Sequence, residues 1–185
     1  MTTPLDVLAF WFAGDPSAYR PAWFQKDPDF DAGCARFAGA LSEAKRGDYD
    51  SWTETPHGAL ALLILLDQLS RNLHRGSAEA FAADAKARGV ATAAIASGFD
   101  AGLTPPERMF LYLPFEHSED MADQDLSVRL FETLREALGD NTVSYAHRHR
   151  DVIQRFGRFP HRNAALGRIS TAAELAYLAE PGSGF

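Results

Sequence analysis

Apolar residues recur along this chain at intervals of three and four, and no stretch alternates convincingly with a period of two. That spacing puts apolar side chains on one face of an α-helix, so the pattern predicts helices throughout. Start and stop signals divide it. Thr3, Pro4 and Asp6 supply a cap, an N1 proline and a first-turn acid. Asp27 and Pro28 open a second helix, predicted to run to about Arg46 and close at Gly47, with Phe30, Cys34, Phe37 and Leu41 as its apolar stripe. Thr55 and Pro56 open a third, apolar nearly all round from Leu60 to Leu69, which therefore belongs at the centre of the fold.

Ser77 is read as the cap of an alanine-rich helix reaching Gly98, and Thr104 to Glu107 as the start of a helix reaching about Met121. Pro114 lies inside that last segment and is expected to kink or interrupt it. A helix carrying Leu126, Leu130, Leu134 and Leu138 ends at Gly139. Asn141 is predicted to cap the next, with Tyr145, His149, Val152 and Phe156 on one face. Thr171 and Glu174 form a capping box for a short final helix. The prediction is an all-α fold of about eight helices, a single domain over residues 1–185 without an internal linker.

Composition narrows the partners. The formal net charge of −7 in 185 residues argues against a general nucleic-acid or anionic-membrane surface, although it permits a local basic pocket. Cys34 is the single cysteine and sits on an apolar stripe, so it reads as core, with no intramolecular disulfide possible. Trp11, Trp23 and Trp52 are likewise expected to pack internally. The amino-terminal segment lacks a basic region and carries Asp6, unlike a signal peptide, and the apolar run from Ala59 to Leu66 is too short to span a bilayer. The cytoplasm is the expected location.

Three polar clusters hold candidate chemistry. In the most apolar helix, Asp67 and Arg71 are one turn apart and share a face with Leu60, Leu63 and Ile64, where charges require partners. Beyond Pro114 come Glu116, His117, Ser118, Glu119 and Asp120, and His117 continues the apolar series of Phe110 and Leu113. The third cluster is a segment between Gly157 and Arg168 with Arg158, His161, Arg162, Asn163 and Arg168, following a helix that carries His149 inward. Guanidinium forks match carboxylate and phosphate oxygens, and imidazoles with carboxylates serve acid–base chemistry. The same arginines in a structural role would tie down acids and helix ends. No spacing typical of a metal site, Walker loop or nucleophile elbow is present. No metal or cofactor is expected.

The ordered motifs are Val-Leu-Ala-Phe-Trp-Phe (7–12), Leu-Leu-Asp-Gln-Leu-Ser-Arg-Asn (65–72), Phe-Leu-Tyr-Leu-Pro-Phe-Glu-His-Ser-Glu-Asp (110–120) and Phe-Gly-Arg-Phe-Pro-His-Arg-Asn-Ala-Ala-Leu-Gly-Arg (156–168). Together these resemble the bacterial family called domain of unknown function 924 over nearly the whole chain. The resemblance implies an array of antiparallel helix pairs similar to tetratricopeptide repeats, although no repeat is legible in the sequence. It carries the family's polar positions onto Asp67, Gln68, Arg71, Asn72, Glu116, His117, Ser118, Glu119, His149, Arg158, His161, Arg162, Asn163 and Arg168. The pair Leu69 and Ser70 departs from a family pattern that usually has Phe-Pro or a similar pair there. It implies no activity.

These residues together suggest a small enzyme, or enzyme-like receptor, for a small anionic metabolite held in a pocket between helices. His149, His117, Glu116 and Asp67 are the candidate catalytic groups; Arg158, His161, Arg162, Asn163, Arg168 and Arg71 are the candidate ligand-binding ones. The alternative is a helical-repeat module that binds a protein or peptide, with the same clusters acting as structural clamps.

Overall fold

Capping chemistry starts most of the helices. A computed structural model describes residues 2–25 and 27–184, and among them eleven α-helical segments and no strand form. Thr3 caps α1 (Pro4–Trp11) in a capping box with Asp6, and Asp27 caps α2 (Pro28–Cys34) by accepting from the N–H groups of Asp29 and Phe30. The predicted second helix is divided: a 3₁₀ turn, Ala35–Phe37, separates α2 from α3 (Ala38–Arg46). Its stripe of Phe30, Cys34, Phe37 and Leu41 is nevertheless buried throughout. Gly47 closes α3 at φ +99°, a conformation that costs glycine little.

Thr55 caps α4 (Pro56–Leu63), which continues without a break through a π-helical segment, Ile64–Leu69, into α5 (Ser70–Leu73). Every residue from 58 to 70 is buried. Removing a leucine side chain from water is worth about 1.5–3 kcal/mol, so this helix is the axis on which the fold assembles. Helices α1, α6 (Asp84–Ala96) and α7 (Pro105–Glu116) pack around α4, and α3 packs around the π segment. Gly58 permits one close approach: a Cβ there would lie 2.2 Å from the carbonyl oxygen of Trp52.

Several predicted boundaries are corrected. Ser77 caps a 3₁₀ turn, Ala78–Ala80, and α6 starts only at Asp84. Helix α7 is not interrupted at Pro114; it ends at Glu116, so the proline costs only a bond in the last turn, and His117 becomes the C-cap. Residues 117–120 then turn the chain into α8 (Met121–Glu132), which packs on both α7 and α10 (Asp140–Phe156). The leucine-bearing helix breaks before α9 (Arg135–Leu138), and Gly139, not Asn141, precedes α10. Gly157 ends α10 at φ +69°, and Thr171 and Glu174 cap α11 (Ala172–Leu178) as predicted. No helix among the described residues is long and apolar enough to cross a membrane.

Candidate functional site

The π segment carries Asp67 and Gln68 into the interior. A π turn departs from the regular i→i+4 ladder and is often found at functional sites. Here Arg71 Nη1 donates to the Asp67 carbonyl oxygen at 2.7 Å and to its Oδ1 at 2.9 Å, the one-turn pairing that the spacing predicts. Gln68 Nε2 donates to Asp67 Oδ2 at 2.6 Å. Asp67 also receives a donor from 50 residues away, with His117 Nδ1 2.8 Å from its Oδ1. Burial works to protonate Asp67, but the Arg71 charge and the bonds from His117 and Gln68 hold its pKa below the usual carboxylate range.

A carboxylate only accepts, so the proton on His117 sits at Nδ1 and the neutral ring keeps its lone pair at Nε2. Burial and the Arg71 charge outweigh the attraction of Asp67 and lower the His117 pKa. Its side chain is 15% exposed, so this imidazole reaches solvent from the edge of the cluster.

His149, from α10, lies behind it with ring centroids 6.3 Å apart. Its Nδ1 is 2.8 Å from the Tyr145 carbonyl oxygen and 3.2 Å from Glu116 Oε1. Burial first, then His117, pushes the His149 pKa well below its ordinary value. Glu116 is pushed up to about 8 by burial and by the Asp67 charge, so at neutral pH it is a carboxylic acid. Its Oε2 is buried and has no hydrogen-bond partner among the described residues. Asp67 and Glu116 therefore divide as an ionised and a protonated carboxyl.

Asp84, at the first position of α6, joins a third element. Both its oxygens accept from Arg71, at 3.0 Å each, and Oδ2 also accepts from Arg162 Nη1 at 3.3 Å. The Arg162 side chain makes no other hydrogen bond among the described residues, and its buried Nε has none. The rings of Phe81 and Phe159 flank it, 4.7 and 4.5 Å from the guanidinium carbon. Burial and the Arg71 charge lower its pKa to about 10, so it stays a cation at pH 7. His161, one residue earlier, is brought down to about 4 by burial and by Arg162.

The other arginines of the segment are engaged elsewhere. Arg158 grips Glu174 with two bonds, at 2.6 and 2.8 Å, and also donates to the Ile169 carbonyl. Arg168 grips Glu119 at 2.7 and 2.9 Å and donates to Phe159 O and Asn163 Oδ1. Asn163 donates onward to Ser170 Oγ at 3.0 Å. These three order the segment that presents Arg162. The acids after Pro114 likewise diverge: Asp120 caps α8, Glu119 meets Arg168, and Ser118 Oγ donates to Asp123. Gln124 Nε2 donates to the carbonyls of Glu116 and Ser118, fixing the end of α7.

Asp67, Arg71, Glu116, His117, His149, His161 and Arg162 are thus neighbours, while Arg158, Asn163 and Arg168 brace them. Sequence reasoning missed Asp84 and Phe81, because an acid in a helix's first turn reads as a helix-dipole residue and a phenylalanine reads as core. Among the described residues no group of three or more His, Cys, Asp or Glu is arranged to hold a metal ion. Two shallow surface concavities, of about 260 and 530 Å³, lie elsewhere; one is lined by Arg148, Tyr177 and Glu180, the other by Asp6, Phe10 and Arg36, and neither contains a histidine.

Residues 7–182 match the family described as "Bacterial protein of unknown function (DUF924)". A solved structure of a protein of unknown function from Agrobacterium tumefaciens is similar at a TM-score of 0.84 and 41% identity, over 95% of this chain and 96% of that one. Among curated proteins none matches.

Proposed function

The chain belongs to this bacterial family of unknown function, DUF924, so its activity must be argued from its own residues, and we propose an enzyme, or enzyme-like receptor, that binds a small anionic metabolite at the Arg162 guanidinium beside the Asp67–His117 pair. In this reading Arg162 supplies charge-assisted donors to the anion. His117, with its proton placed at Nδ1 by Asp67, offers Nε2 as the general base. Glu116, protonated at neutral pH, is the acid of the same cluster.

The observation that carries the reading is the state of Arg162. A buried guanidinium ordinarily has its donors satisfied, and even the half-buried Arg158 and Arg168 each grip a carboxylate with two bonds. Arg162 has one bond of 3.3 Å, a buried Nε without a partner, and two aromatic rings holding its orientation. It is built to receive a further acceptor.

The test is a thermal-shift screen against small carboxylates, phosphates and phosphorylated metabolites, run on wild type, Arg162→Lys and His117→Gln. A ligand at a hundred times its dissociation constant adds about 2.7 kcal/mol of stability. Stabilisation lost in Arg162→Lys and kept in His117→Gln is expected, since the histidine acts in chemistry rather than in binding. Equal responses from all three proteins, or none from wild type, would refute the proposal.

The interaction-module alternative draws on the Arg158–Glu174 and Arg168–Glu119 clamps. Under it, Arg162 would be one more brace, and its substitution would lower stability without altering the response to any anion.

A further inference from the structure

Arg162 stands beside two carboxylates. These are Asp67 and Asp84, and the other guanidinium of the cluster, Arg71, is already bonded to both. His149 and His161 are neutral at pH 7, as is Glu116. The helix N-terminus at this point, that of α6, already has the Asp84 carboxylate in its first turn. Arg162 is therefore the cation of this cluster whose buried Nε is uncommitted, and two carboxylates lie at its border.

We infer that the occupant is a planar monocarboxylate, held edge-on by the guanidinium fork of Arg162, and not a phosphate or sulfate. The inference rests on the anion-site reading above and narrows it. A dianion would bring a second negative charge toward Asp84 and Asp67 with no second cation to balance it. A carboxylate brings one, and its two oxygens match two parallel N–H donors of the fork. The rings of Phe81 and Phe159 lie against the guanidinium, 4.7 and 4.5 Å from its central carbon, while Nε, on its edge, has no partner among the described residues. The same rings give an apolar wall to whatever the carboxylate is attached to. Phosphate sites recruit several cations or a helix N-terminus; here Arg71 is already bonded to Asp67 and Asp84, and Asp84 itself stands in the first turn of α6.

The experiment is an NMR titration of the whole chain at pH 7 with acetate, benzoate, inorganic phosphate and sulfate, repeated on Arg162→Lys and Asp84→Asn. Circular dichroism confirms that each variant is folded. Saturable shifts with the two carboxylates, benzoate the tighter, and at least tenfold weaker binding of phosphate and sulfate are expected. Arg162→Lys keeps the charge but loses the fork, so carboxylate affinity should fall at least tenfold. Asp84→Asn removes the competitor for Arg162 and should let phosphate gain more than acetate. Phosphate binding as tightly as benzoate, with dependence on Arg162, would overturn the carboxylate assignment and leave the anion site standing. Identical titrations in wild type and Arg162→Lys would overturn both.

Discussion

Replacing Glu116 by Gln should make the protein more stable at neutral pH, and increasingly so as pH rises. The unfolded chain ionises this carboxyl near its ordinary value of 4.5, whereas the fold holds it protonated to about 8. Between those limits the unfolded state binds fewer protons than the native one, so stability falls with increasing pH. Each unit of difference corresponds to about 1.4 kcal/mol. At pH 7 the 2.5 units above 4.5 give an upper figure of about 3 kcal/mol, which relaxation of the surroundings will reduce. Glutamine keeps the shape, retains an oxygen facing His149 and has no proton to lose. Denaturant titrations of both proteins at pH 5, 6, 7 and 8 provide the check. The stability difference should widen steadily across that range and level off beyond pH 8. Parallel stability–pH curves would mean that Glu116 is ionised in the fold, and the division of the two carboxyls into base-orienting and acid roles would fail with it.

The acid side of the profile should depend on His161, which is neutral in the fold down to about pH 4 while the unfolded chain protonates it near 6.5; His161→Gln should reduce the stability lost between those values by up to about 1 kcal/mol per pH unit, read from the same titrations. Arg168→Ala should cost about 2–3 kcal/mol and lower the melting temperature by several degrees without acquiring any ligand dependence, since it breaks a two-bond grip on Glu119 and a bond to the Phe159 carbonyl. Gly58→Ala should destabilise by about 2–3 kcal/mol, because its methyl carbon would fall 2.2 Å from a backbone oxygen that no side-chain rotation can move; an unchanged denaturation midpoint would contradict the packing of Trp52 on α4.

Helix starts and the core axis were legible because they are short-range. Thr3 with Asp6, Thr104 with Glu107 and Thr171 with Glu174 act three residues apart, and each forms the capping box that its sequence announces. The buried face of 58–70 follows from a run without polar interruption until Asp67. Boundaries that depend on neighbours were not legible. The break at Ala35–Phe37, the late start of α6 and the π segment at Ile64–Leu69 arise where tertiary packing outweighs local propensity.

For the polar cluster, sequence by itself determined the inventory: which residues can carry charge, and that Asp67, His117 and His149 fall on otherwise apolar faces. Their meeting was decided by the tertiary structure, since His117 lies 50 residues from Asp67 and Arg162 lies 78 from Asp84. So was the division of labour among the arginines. Arg158, Arg162 and Arg168 are chemically identical along the chain; only folding gives two of them a two-bond grip on a carboxylate and leaves the third, between two aromatic rings, with one 3.3 Å bond to Asp84 and a buried Nε to offer. Burial is a property of the assembled fold, and it is burial that shifts Glu116, His149 and His161 away from their solution protonation states.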